Sequence, residues 1–244
     1  MPGGALDPDE SPLTGALREA AEEAAVPASS VRPRHAWTVD HGTWAYTTVV
    51  AEAVGAIVPQ RLDGESEELR WVPTTAVTSL PLHSGFAAAW SQVSDLVRRR
   101  ETVVIDAANV VGSVPDGWWR DRAGAASRLL RSVRAWDADG VEPSGLLDEV
   151  VGRTRAWPDW VVVLEGAARA AADPPDQQPT EKPGERSVSV VRADGSGDDA
   201  IVEVTRGLVA GGGYVTVVTA DRELRSRVAA IGARCVGPGV LPRR

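Results

Sequence analysis

The sequence predicts an α/β chain made of two successive segments that meet near residue 100. Three observations carry that reading. Apolar runs of the buried-strand type alternate with helix-patterned stretches after residue 100, as in a parallel sheet covered on both faces. An acid-rich helical stretch and aromatic, β-branched strands fill the first 97 residues. The charge balance also changes between the two. The whole net charge of −8 lies in residues 1–97, where 13 acidic side chains outnumber 5 basic ones, whereas residues 98–244 carry 21 of each. A neutral second segment excludes a whole-surface electrostatic hold on nucleic acid and leaves only local basic patches.

Other classes fall away on composition. No run approaches the roughly 18 apolar residues of a membrane span, and no basic segment leads into an apolar run near Met1. One cysteine, Cys235, cannot make an internal disulfide framework or a thiolate zinc site, and His35, His41 and His83 show no metal-ligand spacing. The expectation is a reduced, cytoplasmic protein without a membrane partner.

The first element is the stretch SPLTGALREAAEEA. Ser11 suits the N-cap and Pro12 the first helical position. Glu19, Glu22 and Glu23 are then related as i, i+3 and i+4, so three carboxylates share one helix face. Like charges at that spacing cost a few tenths of a kcal/mol per pair, and a divalent cation would turn the penalty into a binding site. An all-oxygen donor set favours Mg²⁺ or Mn²⁺. A plain solvated helix face is the alternative for the glutamates taken alone. Strand-like stretches follow at Ala36–Trp37, Trp44–Ala51 and Leu69–Val72, and a helix from Ser84 ends in Arg98–Arg100, which suit its negative dipole end.

The second segment opens with TVVID, a buried-strand run ending at Asp106. WWRDRAGAASRLLRSVRAW predicts a helix from Trp118, and WVVVLE a second buried strand ending at Glu165. Asp173–Arg186 has the composition of a mobile loop. SVSVVRA, a helix opening at Asp198, YVTVVTA and a last helix from Asp221 complete the alternation. In a parallel sheet the strand C-termini and the following helix N-termini share one edge, where ligands bind. Asp106, Asp198, Asp199 and Asp221 gather there from separate elements, a pattern suited to a metal-dependent phosphodiester site. Each has a plain role open to it as well: Asp198 and Asp221 suit helix caps, and Asp106 a bond to its own turn. Arg120, Arg122, Arg128, Arg131 and Arg134 read as a solvated helix face, with phosphate contact the alternative. Trp118 and Trp119 read as packing, with base stacking the alternative.

Two resemblances sharpen these expectations. Gly4, Glu10, Arg18-Glu19, Glu22-Glu23 and Val26 resemble the Nudix box, Gx5Ex7REUxEExGU, where U is a bulky aliphatic. Six such identities arise by chance on the order of once in a million placements, so the motif is specific. Ala20 is a weak match for the first aliphatic, and Ala25 replaces the family glycine. The resemblance implies an α/β/α sandwich in which Glu19, Glu22 and Glu23 are the catalytic metal ligands. Glu10 and Arg18 would brace the loop against the helix, and Gly4 would let the backbone approach. It implies hydrolysis of a nucleoside diphosphate derivative with Mg²⁺ or Mn²⁺. The strands that normally precede the box are expected upstream of Met1. IDAANVVG, GSGDD and VTADREL, in that order, resemble NYN and PIN-like ribonuclease domains. That resemblance implies a three-layer αβα domain in which Asp106, Asp198, Asp199 and Asp221 hold Mg²⁺ or Mn²⁺. Asn109 would orient Asp106 or a phosphate, Glu165 would add another acid, and single-stranded RNA would be the partner.

The sequence therefore predicts an incomplete Nudix sandwich over residues 1–97 followed by a PIN-like domain with a parallel sheet over 101–244. Its leading function is pyrophosphate-bond hydrolysis of a nucleoside diphosphate derivative. A ribonuclease with a vestigial first half and a non-catalytic nucleotide- or RNA-binding protein are the alternatives.

Overall fold

Ser11 and Pro12 start the first helix as their chemistry requires, with the Ser11 hydroxyl accepting the Thr14 N–H at 3.1 Å. The computed structural model describes residues 1–62, 67–115, 117–172 and 188–242. Its contacts divide the chain into two units. One comprises Met1–Arg98 together with Val150–Ala156, and the other is built from the remaining described residues. A boundary drawn once near residue 100 leaves that returning strand out.

In the first unit α1 (Pro12–Ala24) leads to the hairpin strands β1 (Val31–Asp40) and β2 (Ala45–Ala53), and α2 spans Ser84–Arg98. The hairpin is antiparallel, with Trp37 opposite Thr48 and Asp40 opposite Ala45. Gly42 takes a positive φ of 83° in its loop and donates its N–H to the Asp40 carboxylate at 2.7 Å. Successive side chains of a strand alternate between faces. Val50 therefore joins Trp37 in a core with Ala89, Val93 and Leu96 of α2, while Thr47, Val49 and Ala51 face α1. The sheet is completed by β4 (Arg153–Ala156), which pairs antiparallel with β1 to give the order β2-β1-β4. RTRA carries no alternating apolar pattern, so nothing in its composition marks it as a strand. What seats it is Trp37, whose indole N–H donates to the Val151 carbonyl at 2.8 Å, and Thr38, whose N–H donates to the Gly152 carbonyl at 2.7 Å.

The expected strand at Leu69–Val72 is absent: those residues join no ladder, and a 3₁₀ segment at Thr74–Ser79 follows. The Trp71 indole N–H donates to the Ile57 carbonyl at 3.0 Å, so a side chain ties this stretch to a neighbouring loop instead of a backbone ladder. Pro73 also lacks the N–H a strand would use.

The second unit holds β3 (Glu101–Asp106), α3 (Ala107–Gly112), α4 (Arg122–Asp139), β5 (Asp159–Leu164), β6 (Ser189–Arg192), α5 (Gly197–Ala210), β7 (Tyr214–Val218), α6 (Arg222–Ala229) and β8 (Arg234–Val236). Five strands form one sheet in the order β6-β5-β3-β7-β8, every pair parallel, as the buried apolar runs require. One face packs Val104, Val161 and Val217 against Ile201 of α5 and Leu224 and Val228 of α6. On the opposite face Trp160 meets Trp136 of α4, ring centroids 5.8 Å apart, beside the fully buried Leu129 and Leu130. The helix expected from Trp118 begins at Arg122, because the Asp121 carboxylate accepts the Gly124 N–H at 2.8 Å and caps it there. Trp118–Arg120 form a separate 3₁₀ turn. The loop expected at Asp173–Arg186 lies outside the described residues.

Gly152 tests the seating of β4. Its φ is +80°, and a Cβ there would come within 2.5 Å of the Trp37 indole nitrogen. Gly152→Ala is expected to destabilise the first unit by about 2–3 kcal/mol, measured by urea unfolding followed through tryptophan fluorescence.

Candidate functional site

The box residues assemble around Arg18. Its guanidinium donates to both Glu10 oxygens at 3.1 and 2.9 Å, to Glu19 at 2.8 Å, to Glu22 at 3.1 Å and to the Ala5 carbonyl at 3.1 Å. Hydrogen bonding from Arg18 holds the Glu10 carboxyl below the ordinary carboxylate range, and Glu10 in turn raises Arg18. The loop before α1 is thereby tied to the helix through one cation. Gly4 lies against Glu19: a Cβ at Gly4 would stand 2.3 Å from a Glu19 oxygen, so a side chain there would push the carboxylate from its place. Glu19 is mostly covered, while Glu22 remains 61% exposed. Ala25 takes the left-handed conformation, φ 54° and ψ 35°, that the family glycine would adopt at lower cost. The carbonyls at the end of α1 find partners nonetheless, with Ala20 accepting from Val26, Ala24 from Gln60 and Glu23 from Leu62.

A cavity of about 840 Å³ lies on the α2 face of the first unit's sheet. Trp37, His41, Trp44, Tyr46 and Phe86 give it aromatic walls, and His41 stacks on Trp44 with centroids 4.1 Å apart. Trp44 and Tyr46 are about half exposed. The Thr48 hydroxyl is buried in the same wall and has no hydrogen-bond partner among the described residues. Met1 reaches the cavity, and a Cβ on Gly3 would lie 3.9 Å from the Tyr46 hydroxyl, so the start of the box borders its rim. A volume of this size with apolar walls and few polar atoms suits a planar small molecule. Sequence reasoning missed the cavity because its residues come from a hairpin and a distant helix. The cluster of aromatics between Trp37 and Tyr46 was the one available sign.

In the second unit Asp106, Asn109, Glu165, Asp198 and Asp221 line one cavity of about 510 Å³ at the C-terminal edge of the parallel sheet. Asp106 accepts the Asn109 N–H at 3.1 Å and the Thr219 hydroxyl at 2.8 Å, and the Asn109 side-chain oxygen accepts the Ala220 N–H at 2.9 Å. Asp221 accepts the Leu224 N–H at 2.8 Å and caps α6. Glu165 accepts the Gly197 N–H at 2.9 Å, and a Cβ on Gly197 would stand 2.5 Å from that carboxylate. Burial raises the Asp106 carboxyl, opposed by its two hydrogen bonds and reinforced by Glu165 and Asp221. Burial also raises Asp198, with Asp106, Asp221 and Glu165 adding to it. Asp106 and Asp198 therefore both feel the carboxylates of Glu165 and Asp221 through space. Asp199 does not join them. Its carboxylate pairs with Arg227 of α6, and it does not line the cavity.

All-oxygen donors and mutually repelling carboxylates fit a hard divalent cation in chemistry at both places. Among the described residues, however, no three His, Cys, Asp or Glu side chains already stand in ligating geometry. In the first unit the Arg18 guanidinium takes Glu19 and Glu22 instead.

Residues 1–93 match the family profile described as NUDIX domain, so the N-terminal segment carries a Nudix domain. The chain is 43% identical over 99 residues to "Putative 8-oxo-dGTP diphosphatase 3" of Mycobacterium tuberculosis, covering 38% of this chain and 45% of that protein. It is 42% identical over 92 residues to a "Nucleoside triphosphate pyrophosphatase/Nudix hydrolase fusion protein" of Bifidobacterium longum, covering 37% and 19% respectively. The chain thus spans less than half the length of the curated relatives it matches. Among solved structures it is similar to Rae1 (YacP) from Bacillus subtilis, with 13% identity, a TM-score of 0.39, and coverage of 57% of this chain and 70% of that one.

Two substitutions probe these sites without assuming a reaction. Ala25→Gly is expected to stabilise the protein by about 1 kcal/mol in urea unfolding, since it removes the left-handed strain. Because the folded Asp106 carboxyl binds its proton more tightly than the unfolded one, stability falls as pH rises from the unfolded value through the folded one. Asp106→Asn is therefore expected to raise the melting temperature at pH 7 relative to its effect at low pH, the lost acceptor for one of the two hydrogen bonds being common to both. The gain should vanish below about pH 4, where the unfolded carboxyl is protonated too.

Proposed function

We propose that the chain is a Nudix hydrolase that cleaves the pyrophosphate bond of a nucleoside diphosphate derivative, of the nucleoside triphosphate class, with Mg²⁺ or Mn²⁺. The observation that carries the reading is the continuity of the box with the aromatic cavity. Gly4 lies against Glu19, Gly3 approaches Tyr46, and Met1 lines the cavity wall. A base held between Trp44, Tyr46 and Phe86 would place its phosphates along the glycine stretch toward Glu19, Glu22 and Glu23. Those three carboxylates would hold the cation, which when bound neutralises phosphate charge and lowers the pKa of water. Glu10 and Arg18 position the loop and helix on which the approach depends. The name of the Mycobacterium tuberculosis relative favours a purine nucleoside triphosphate as the first substrate to try.

A second reading has its own support. Four carboxylates lining one cavity at the sheet edge suit metal-dependent cleavage of single-stranded RNA by the second unit. Asp106, Glu165, Asp198 and Asp221 would be the ligands. The Arg227 ion pair argues against the assignment of Asp199 to that set.

Reciprocal substitutions separate the two. In a pyrophosphate- and phosphate-release assay on a panel of nucleoside triphosphates, Glu22→Gln is expected to lower kcat by roughly 10²–10³-fold. Asp106→Asn should leave that rate unchanged, and EDTA should abolish it. On a 5′-labelled single-stranded RNA the effects should exchange places, and a wild-type chain inert on both substrates would remove both readings.

A further inference from the structure

The tryptophans at 118 and 119 have no place in either reaction scheme, and their surroundings differ from those of the tryptophans that build the core. Trp136 and Trp160 are 8% and 1% exposed and pack ring against ring under the sheet. Trp119 is 57% exposed, and Trp118 is half-buried in the wall of the acidic cavity. An indole left in water forfeits most of the burial that makes tryptophan a packing residue.

We propose that Trp118 and Trp119 form a base-stacking ledge for a single strand of nucleic acid at the mouth of the acidic cavity. Their rings stand edge to face, with centroids 6.2 Å apart and planes at 84°, so the pair offers two faces in different directions. Arg122 lies with its guanidinium carbon 5.5 Å from the Trp118 ring centroid, and Gly112 leaves Cζ2 of that ring in ordinary contact at 3.8 Å from where a Cβ would stand. The 3₁₀ turn and the start of α4 add Arg120 and Arg122, both exposed, and among the described residues of this stretch the one carboxylate, Asp121, is engaged in capping. Charge then has a definite arrangement. The cavity floor is acidic and repels phosphate, whereas the rim is aromatic and basic. A strand is held at such a rim by stacking, which tolerates any base, and by guanidinium contacts to its backbone. Arg128 and Arg131 continue the positive surface along α4, while the Arg134 guanidinium is withdrawn from solvent and takes no part.

The ledge rests on the second reading only for the purpose of the bound strand, and binding can be measured without cleavage. Fluorescence anisotropy of 3′-labelled ten-nucleotide single strands, RNA and DNA of matching sequence, is recorded with the full chain in EDTA. Trp119→Ala and Trp118→Ala are each expected to weaken binding about tenfold, with Trp118→Phe retaining most of the affinity. Trp119 is exposed, so its removal leaves the fold intact and the loss reads as lost stacking. Equal losses on RNA and DNA identify base stacking alone, and a larger loss on one strand identifies the sugar that the ledge prefers. Alanine variants that bind within twofold of the wild type, or a wild type that binds neither strand, overturn the ledge. A wild type that binds through these tryptophans yet cleaves no RNA with Mg²⁺ or Mn²⁺ overturns the nuclease reading and leaves the ledge standing.

Discussion

Carboxylates crowded onto one surface repel, and each unit of this chain is organised by how that repulsion is met. In the first unit Arg18 meets it from within the motif, bonding Glu10, Glu19 and Glu22 at once. The same contacts fix the loop to the helix, so neutralisation and architecture are one interaction. In the second unit, among the described residues, no arginine lines the cavity of Asp106, Glu165, Asp198 and Asp221, and Arg227 acts on Asp198 from outside it. Hydrogen bonds from Thr219, Gly197 and Leu224 hold three of these carboxylates, and burial, reinforced by the neighbouring carboxylates, raises Asp106 and Asp198. Holding like charges together in this way costs stability.

The aromatic cavity of the first unit follows from strand geometry. Alternation along β1 and β2 sends Trp37 and Thr48 to the α2 face and Thr47 and Val49 to the α1 face. One hairpin thereby serves two surfaces, one beside the acidic helix and one beside the aromatic pocket. The buried Thr48 hydroxyl has no hydrogen-bond partner among the described residues and lies in a mainly apolar wall that also carries His41, His83 and Gln92, and a ligand atom that met it would remove an unfavourable desolvation.

Glycine positions show where close approach was needed and where it was not. Gly4 and Gly197 sit against carboxylate oxygens of Glu19 and Glu165, and Gly152 sits against the Trp37 indole. At Ala25 the backbone keeps the left-handed exit without glycine, because the final turn of α1 is held by the backbone of Gln60 and Leu62. The chain tolerates a local cost of about 1–2 kcal/mol there in exchange for contacts made elsewhere.

The sequence by itself determined the elements whose signal is local. Ser11-Pro12 set the start of α1, the apolar runs ending at Asp106 and Leu164 set parallel strands, and the spacing of Gly4, Glu10, Arg18 and the glutamates set the motif. These depend on neighbours within a turn or a strand, so linear spacing encodes them. Tertiary structure alone decided the rest. It placed Arg153–Ala156 beside β1, denied a ladder to Leu69–Val72, turned Asp199 toward Arg227 and away from the acidic cavity, and set Trp118 on the cavity wall. The reason is physical. Two adjacent aspartates on a helix point in directions about 100° apart, and which of them meets a partner depends on surfaces contributed by residues far along the chain.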